Sequence, residues 1–556
     1  GREIAAPRSE LERQVAKIWA ELLDVDHIGV EQDVFALGID SITVTQMISR
    51  LRERFGTDLS FKDIFDAPTV AVLAARIGKS KKISGSVSPS LQDPAEANAQ
   101  PAKDSPQPVT FVQERMLRIE REIPGLPQFN LPFSYRLKGP LSVAALRRGL
   151  IAVARRHDSL RTRFAWRGDR PVAFIAPPAE IKPSFIVENL AATAPAGHSR
   201  LKALLRRKAA LAAEREALKP FDMSRAPLFR ARLLRLGAND HVLLLVVHDI
   251  VIDGWSMGVF MEDVAHFYGA FAAGSRIRLP EPALRFSDFA RWQRHWSTSD
   301  AADRQFAYWH RRLRNASALF ANGNDGNELA APMHRERLRI PNNVLAKLGD
   351  LGHSRGATLF VALLAAFKAL LLLRSGREDI CVATAMANRA QLKTESVIGP
   401  FANTAIIRTR LDADLTFHET LDRVRDGVFQ AYANQELPFD ILADRLEEHN
   451  LDPESLIQVY FVLQIAFRRP AKLPGVVVQP FGYREGQSVM PVDRTKLTMT
   501  LNETPSGIIG SCSYKSDLLH KQRWVEDYCA IIAAAAASPG QRLARFADRL
   551  KTRSPM

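Results

Sequence analysis

One short segment concentrates the side chains that can carry out acid–base chemistry. Residues 247–256 read VHDIVIDGWS and place His248, Asp249 and Asp253 within six positions, directly before Gly254. Imidazole and carboxylate groups can take up or deliver protons, and they can also bind metal ions. The residue types therefore leave three interpretations open: a catalytic centre, a metal site, or the polar end of a buried strand.

A serine in the segment LGIDSI, residues 37–42, is the second candidate for chemistry. Apolar residues between positions 42 and 51 recur at helical spacing, and Gly56 would end that helix. Asp40 or Ser41 would then cap the helix by accepting a hydrogen bond from a free backbone N–H. Periodicity alone therefore explains Ser41 as a helix-capping residue.

The elements around VHDIVIDGWS are predicted to be a strand and a helix. Residues 242–247 form a short apolar run typical of a strand, and apolar residues return at helical spacing from Trp255 onwards. The polar segment then lies at the carboxyl end of a buried strand, where α/β proteins commonly place their chemistry. Further along, an apolar helix over 359–373 is predicted to precede a strand over 380–385.

A change of composition divides the chain of 556 residues. Residues 79–108 are rich in Ser, Pro, Ala and Lys and poor in core-forming residues, which predicts a flexible linker. The linker separates a small helical domain, residues 1–78, from a large domain, residues 109–545. In the small domain, Ser9 and Glu12 have the spacing of a capping box at the start of the first helix.

The composition argues against several classes of partner. The net charge is +15, from 76 basic and 61 acidic residues, but the two signs are interspersed, so we expect no nucleic-acid partner. No apolar stretch reaches about eighteen residues and the first residues are charged, so we expect no membrane partner and a cytoplasmic location. Cys381, Cys512 and Cys529 are widely spaced, which predicts reduced thiols rather than zinc ligands.

Several segments, taken in order, resemble motifs of the nonribosomal peptide synthetases. LGIDSI resembles the attachment motif of peptidyl carrier proteins, whose serine carries a 4′-phosphopantetheine arm. The large domain resembles a condensation domain over nearly its full length. The matching segments are TFVQERML (110–117), RHDSLRTRF (156–164), VHDIVIDGWS (247–256), FSDFARW (286–292), IGPFANT (398–404) and NQELPFD (434–440). A complete set in the family's order is much more specific than any one of these strings.

The resemblance implies an α+β multidomain fold. A small four-helix carrier bundle would precede a two-lobed, chloramphenicol-acetyltransferase-like α/β condensation domain, with an N-lobe of about 109–280 and a C-lobe of about 281–545. Ser41 would carry 4′-phosphopantetheine at the head of a helix, where the modifying enzyme can reach it. The carrier would present an acyl or peptidyl thioester donor, and the condensation domain would join it to an acceptor as an amide or ester. The implied partners are an acceptor amine or downstream carrier protein, a phosphopantetheinyl transferase and other synthetase modules.

The chain departs from the family motif HHxxxDG at the position of the working histidine. His248 stands at the first histidine's place and Asp249 at the second. An exposed Asp has a pKa of about 3.9 and is a poor base at neutral pH unless burial raises that pKa. Three interpretations of Asp249 stay open: a natural substitution in a domain that catalyses mainly by positioning, a natural substitution in an inactive domain, or an engineered change that traps substrates.

The candidate catalytic set contains Asp249, His248, Asp253 and Gly254, and the resemblance implies structural roles for several members. Asp253 is expected to form a buried ion pair with Arg389, and Gly254 to allow close approach of the backbone. His248 is expected to brace the loop as a buried imidazole, and Trp255 to belong to the core. The other motif residues expected to support the structure are Arg161 and Asn403.

Other types of site match less well or stay as alternatives. No metal is expected, because the segment lacks an HExxH-like helical pair and the family match accounts for Asp253 without one. The DxxxxDxxS motif of a heterocyclisation domain would need an aspartate at position 248, where this chain has histidine. An epimerisation domain, which shares HHxxxDG, stays an alternative. So does a catalytically impaired or non-catalytic domain that recruits a partner.

Overall fold

The structure, a computed structural model of the chain, describes residues 5–57, 59–80, 105–125, 127–191, 201–275, 277, 279–320, 333–464, 472–481, 495–504, 506–515 and 523–551. A small helical domain packs against a large mixed α/β domain. Most of the predicted linker, residues 81–104, lies outside the described residues. The α+β multidomain fold implied by the resemblance is confirmed.

The described residues between 5 and 80 fold into the expected four-helix bundle. Its helices are α1 (Glu10–Leu23), α2 (Ser41–Phe55), α3 (Phe61–Phe65) and α4 (Val70–Lys79). Apolar residues at helical spacing face inward, so the side chains of Trp19, Val44, Leu51 and Leu73 are fully buried. The last helix continues one residue beyond the boundary predicted at 78.

The cap of α1 forms only half of the predicted capping box. Ser9 Oγ accepts the backbone N–H of Glu12 at 3.1 Å, as predicted. The Glu12 carboxylate, however, accepts the N–H of Arg8 at 2.6 Å instead of the N–H of Ser9. Both contacts still satisfy free N–H groups at the start of the helix.

The cap of α2 fixes the orientation of Ser41. Asp40 Oδ1 accepts the N–H of Thr43 at 2.7 Å, so Asp40 is the capping residue of the two candidates. Ser41 is therefore the first residue of the helix. Gly56 ends α2 with a left-handed φ of 61°, as its position in the sequence predicts.

The large domain begins with a lobe in which strands and helices alternate. Its elements are β1 (Gln107–Pro108), α5 (Phe111–Glu122), β2 (Asn130–Lys138), α6 (Val143–Arg156), β3 (Thr162–Arg167), β4 (Arg170–Ile175), β5 (Ser184–Asn189), α7 (Leu201–Ala217), β6 (Phe229–Gly237), β7 (Asp240–His248) and α8 (Gly254–Ala272). Strand β7 is central and is buried over nearly its whole length. The strand predicted over 242–247 and the helix predicted after it are confirmed.

The second lobe follows in the chain and has its own sheet. The elements after residue 280 are α9 (Phe286–Trp296), α10 (Asp300–Leu313), β8 (Met333–Pro341), α11 (Asn342–Ser354), α12 (Leu359–Ser375), β9 (Asp379–Met386), β10 (Asn403–Arg410), α13 (Phe417–Tyr432), α14 (Phe439–Glu447), α15 (Pro453–Leu456), β11 (Val459–Gln464), β12 (Val477–Pro480), β13 (Leu497–Thr504), β14 (Gly507–Lys515), α16 (Trp524–Ala537) and α17 (Leu543–Lys551). The apolar helix and the strand predicted over 359–373 and 380–385 correspond to α12 and β9.

The sheets are open and mainly antiparallel. Among the described residues, the first lobe has a sheet in the order β12-β2-β7-β6-β5 and a smaller one in the order β1-β4-β3. The second lobe has the order β10-β9-β11-β13-β14-β8, in which β11 runs parallel to both of its neighbours. This is the fold expected of a two-lobed condensation domain.

Two details correct the predicted boundaries. Strand β12 comes from the C-lobe part of the sequence, yet it pairs with β2, with Val477 opposite Lys138, and so completes the sheet of the first lobe. Gln107 and Pro108, predicted to belong to the linker, form β1 and pair with β4. In both cases a short segment satisfies the free backbone groups of an edge strand.

Helix length and the state of the thiols bear on membrane crossing and on cysteine chemistry. No described helix, taken singly, has the length and apolarity to cross a membrane; α11 and α12 meet that test only as a pair, bent by 101°. Cys381 and Cys512 are buried and Cys529 is partly buried, and all three are free thiols, as predicted.

Candidate functional site

The VHDIVIDGWS segment forms the predicted crossing between a strand and a helix. β7 ends at His248, residues Asp249–Val251 make one 3₁₀ turn, and α8 begins at Gly254. Asp253 caps α8, because its Oδ1 accepts the N–H of Ser256 at 2.8 Å. The strand determines where the loop starts and the cap determines where it ends.

Asp253 forms the expected buried ion pair with Arg389, which follows β9 in the second lobe. Arg389 Nη2 donates to both Asp253 oxygens at 3.1 and 3.3 Å. The Arg389 side chain is 1% exposed and the Asp253 side chain 5%. The N–H of Phe401 donates to Asp253 Oδ2 at 3.0 Å. Ser256 Oγ accepts from Arg389 Nη2 at 2.6 Å and donates to the carbonyl of Gly399 at 2.9 Å. These bonds compensate the cost of burying two charges.

His248 is held as a buried, neutral imidazole. Its Nδ1 accepts the N–H of Ile250 at 3.1 Å, and the rings of Phe129 and Phe221 lie 5.8 and 5.9 Å from its ring centroid. Burial lowers the pKa of His248 to about 3, and the positive charge of Arg230 acts in the same direction. A group with this pKa does not bind a proton at neutral pH, which agrees with a bracing role.

Asp249 lies in an environment unlike that of an exposed carboxylate. Burial raises the pKa of Asp249 to about 7; the negative charge of Asp253 acts in the same direction, and Arg115 acts against it. Arg115 also bridges the lobes, because its Nε lies 2.9 Å from Oδ1 of Asp440 in α14. Burial raises the pKa of the nearby Tyr460, and the negative charge of Asp249 acts in the same direction. At neutral pH, Asp249 therefore exists in both protonated and ionised forms and can either donate or accept a hydrogen bond.

Gly254 and Trp255 differ from the sequence-based expectation. A Cβ built on Gly254 would meet no described atom within 4 Å beyond its chain neighbours, so close backbone packing does not explain this glycine. Trp255 is half-buried and lines a cavity rather than the core, and its Nε1 donates to the carbonyl of Glu395 at 2.9 Å. Gly254 is exposed and Trp255 lines the cavity, whereas Ser256 and Met257, the next residues of α8, are fully buried.

Ser41 is buried against the second lobe. Ser41 is only 6% exposed. Its Oγ lies 3.2 Å from Oγ1 of Thr358, the residue that caps α12. Ser41 also hydrogen-bonds the phenol of Tyr432, whose pKa burial raises to about 12. The expectation that the serine is open to a modifying enzyme is wrong for this docked arrangement, because the second lobe covers Ser41.

One cavity joins the surroundings of Ser41 to the scaffold of the loop. It is small, with a volume of about 80 Å³. The residues that line it are Ser41, Ile42, Thr45, Trp255, Phe360, Thr384, Ala385, Ala387, Arg389, Tyr432, Gln435 and Leu463. Residues of the carrier, the start of α8 and the Arg389 guanidinium thus share a single space.

The two remaining motif residues hold loops through hydrogen bonds to backbone groups. Asn403 Nδ2 donates to the carbonyls of Gln435 and Leu437 at 2.8 and 2.7 Å, and its Oδ1 accepts another N–H of the same segment. Asn403 therefore fixes the segment that brings Gln435 to the cavity. Arg161 lies elsewhere: it donates to the carbonyl of Ala176 and lines a separate groove, to which both lobes contribute residues.

Sequence reasoning did not single out several residues around the site. Three of them, Arg115, Ser256 and Gln435, lie inside the quoted motifs, so a signal for them was present. The others lie outside the motifs and reach the site only through long-range folding; they are Thr358, Tyr432 and Tyr460. No local pattern distinguishes these three from other polar residues of their helices and strands.

A metal site would need several His, Cys, Asp or Glu side chains to converge. Within the part of the chain that the structure describes, no group of three or more His, Cys, Asp or Glu side chains is arranged to hold a metal ion. Asp253 is bound to Arg389, and the Nδ1 of His248 is occupied by the N–H of Ile250.

Comparisons with known proteins agree with the motifs. A family model for the condensation domain matches residues 103–547, and a model for the phosphopantetheine attachment site matches residues 13–77. A linear gramicidin synthase polypeptide of Brevibacillus parabrevis is 37% identical over 97% of this chain, which spans 7% of that protein. Phosphinothricin tripeptide synthetase PhsB of Streptomyces viridochromogenes is 33% identical over 92% of the chain, which spans 42% of it. The chain therefore spans less than half the length of these relatives.

Solved structures resemble the large domain. The X-domain from teicoplanin biosynthesis matches with a TM-score of 0.65 and 27% identity, over 82% of this chain and 99% of that one. The complex of that X-domain with OxyB matches equally well, at a TM-score of 0.65 and 27% identity over 83% and 98%. The first condensation domain of the calcium-dependent antibiotic synthetase, with a substrate analogue, has a TM-score of 0.65 and 20% identity over 79% and 99%, a likeness of fold alone.

We expect Asp253→Ala to destabilise the large domain. The substitution leaves Arg389 buried without its carboxylate and α8 without its cap, and removing one partner of a buried ion pair costs about 3–5 kcal/mol. The measurement is the shift of the unfolding midpoint of the full chain in chemical denaturant. Gly254→Ala, one residue along, is the matched control, because its Cβ would meet open space. An Asp253→Ala shift no larger than that of the control would contradict the scaffold role.

Proposed function

We propose a function for this chain, which belongs to the condensation-domain family of the nonribosomal peptide synthetases and carries a phosphopantetheine attachment domain. It transfers a donor acyl group from its own carrier to an acceptor amine at the HDIVIDG loop, residues 248–254. The observation that carries the proposal is the cavity that Ser41 shares with Trp255 and Arg389. A carrier docked on its own condensation domain keeps its cargo at a high effective concentration there. The carrier therefore acts as the donor carrier.

The surroundings of Ser41 fit an attached 4′-phosphopantetheine. Ser41 stands at the first position of α2 and lines the cavity, so a group on Oγ would lie beside Trp255 and Arg389 once the cavity widens to admit it. Phe360 and Leu463 offer apolar contacts, and Thr384 and Gln435 offer hydrogen bonds. When bound, the arm supplies a thiol that holds the donor acyl group as a thioester. The residues of the cavity would hold it and direct the donor carbonyl toward the start of α8.

Asp249 is proposed to act on the acceptor amine. The amine must lose a proton as it attacks the donor carbonyl, and a base works best when its pKa lies near the operating pH. With a pKa of about 7, Asp249 meets that condition, because burial provides what the residue type lacks. This proposal keeps the domain active but differs from catalysis mainly by positioning, because Asp249 itself would take up the proton. His248, with a pKa of about 3, braces the turn from which Asp249 projects.

The remaining partners follow from this reaction. The product would be an amide, or an ester if the acceptor is a hydroxyl. The acceptor would be an amine, free or on a downstream carrier protein, and other modules of a longer synthetase would supply and receive the chain. A phosphopantetheinyl transferase would modify Ser41, and because Ser41 is only 6% exposed when docked, modification requires the carrier to leave this position.

A second function is favoured by one comparison. The X-domain that resembles this chain is known in complex with OxyB. By analogy, the large domain would recruit a partner enzyme to the carrier without forming a bond. Product formation by the chain as given and by Asp249→His, with a loaded donor and an acceptor amine, separates the two functions. Product only after the substitution, together with capture of a partner enzyme by the original chain, would favour recruitment.

We expect one phosphopantetheine arm on Ser41. Mass spectrometry after treatment with a phosphopantetheinyl transferase and coenzyme A should show a single added arm on the chain. Ser41→Ala should carry none, whereas Ser60→Ala, which removes an exposed hydroxyl elsewhere in the carrier, should carry one. An arm that persists in Ser41→Ala would contradict the assignment.

The rate of condensation should depend on the ionisation of Asp249. Because only the ionised carboxylate is a base, the single-turnover rate should rise with pH and level off above a pH of about 7. Asp249→Asn has the same shape but does not titrate, so it should lower the rate by about 10²–10⁴-fold and remove this inflection.

The control for that profile is the acceptor itself, which also titrates. Using one amine for both proteins gives the same contribution from the acceptor, so only the difference between the two profiles reports on Asp249. An inflection of equal size and position in Asp249→Asn would rule out Asp249 as the base.

A further inference from the structure

We infer that Glu395 is a positioning residue that couples docking of the carrier to the geometry of the HDIVIDG loop. Glu395 lies on the second lobe, directly after a 3₁₀ turn formed by Leu392–Thr394. It contacts Arg50 of the carrier on one side and Trp255 of the loop region on the other. The inference rests on the proposed function, because it takes the carrier in this position as the donor carrier.

The carrier binds Glu395 through α2, the helix that begins at Ser41. Arg50 forms a two-pronged contact, with Nη1 at 2.8 Å from Oε1 and Nη2 at 3.0 Å from Oε2 of Glu395. Gln46, one turn earlier, donates to Oε2 at 3.1 Å. The Arg50 and Glu395 side chains are 21% and 12% exposed. A paired guanidinium–carboxylate contact of this kind fixes direction as well as distance.

Other contacts anchor the carrier independently of Glu395. The ring of Phe61 stacks on Tyr432 with centroids 4.3 Å apart, and Phe65 stacks on Phe429 at 4.8 Å. Asp33 pairs with His353 at 3.0 Å. Aromatic stacking supplies much of the contact area at such an interface. Glu395 is therefore not needed merely to hold the domains together.

On its inner side, Glu395 belongs to a turn that is tied to the catalytic scaffold. Its carbonyl accepts the Nε1–H of Trp255 at 2.9 Å. Arg389, the partner of Asp253, donates to the carbonyls of Thr394 and Val397, the latter at 2.8 Å. The Arg389 guanidinium also lies 5.5 Å from the centroid of the Trp255 ring. The same short turn thus contacts both Trp255, which lines the cavity, and Arg389, which holds Asp253 of the loop.

The charges explain why docking would matter for the loop. Burial raises the pKa of Glu395, while hydrogen bonding and attraction to Arg50 favour its ionised form, with smaller contributions from Gln46 and Arg389. When the carrier departs, Arg50 and Gln46 leave with it, and Arg389 is left to act on Glu395 as well as on Asp253. Docking therefore gives Glu395 a cation of its own, Arg50, in addition to the weaker attraction of Arg389. Without Arg50, Glu395 depends on Arg389, which also holds Asp253, the residue that caps α8.

The direct test is hydrogen exchange in the full chain, which requires no turnover. Arg50→Met should raise exchange in the first turn of α8, residues 254–257, by about tenfold, within the roughly 5–150-fold typical of coupling between sites. Glu395→Arg should do the same, and the double variant Arg50→Glu with Glu395→Arg should restore protection by reversing the ion pair. Arg13→Met, which removes an exposed arginine paired with Glu10, is the matched control and should change nothing in α8.

The outcome separates this inference from the proposed function. Exchange that rises in α2 and in 392–395 but stays unchanged in 254–257 would overturn the coupling, since it would show loss of docking alone. So would a double variant no better protected than either single one. Failure of the proposed function would instead appear as absence of condensation product from the unaltered chain, a result that leaves the exchange comparison intact.

Discussion

The arrangement of the site depends on the buried ion pair between Asp253 and Arg389. Asp253 comes from the crossing between β7 and α8 in the first lobe, and Arg389 follows β9 in the second. Two charges this deeply buried persist only when hydrogen bonds surround them, and here the bonds come from Ser256, Phe401 and the carbonyls near 394–399. The pair therefore requires both lobes to be in place, and it gives the loop a fixed position only when they are.

That constraint places the two carboxylates of one loop in different environments. Asp253 has a guanidinium, a capped helix and a backbone N–H as partners. Asp249, four residues earlier, has burial and a like charge beside it, and its pKa is raised to about 7. Environments that set neighbouring carboxylates apart in this way are how proteins obtain a structural anion and a working base from the same residue type. An aspartate at this position is therefore compatible with chemistry at neutral pH.

Local sequence patterns predicted what short-range interactions determine. The helix of Ser41, its end at Gly56, and the strand–loop–helix order around His248 all follow from capping and periodicity, which left Asp40 and Ser41 as the two candidates for the cap. The ion pair of Asp253 with Arg389 was predicted from the resemblance to the family motif. The burial of Ser41, the exposure of Gly254 and the cavity position of Trp255 were not predictable, because each depends on which surfaces meet after folding. For the same reason, no pattern in the sequence of β12 predicted that it pairs with β2 in the sheet of the first lobe.

The central claim is that the carrier docked beside this cavity delivers its own cargo to the loop. The most direct measurement is the single-turnover rate constant of amide formation from chain loaded on Ser41, with a fixed concentration of acceptor amine, over a wide range of protein concentration. Delivery within one chain predicts a rate constant that does not change on dilution, because the tether alone sets the effective concentration of donor. A rate constant that falls in proportion to protein concentration would contradict the claim, since the donor would then come from another molecule.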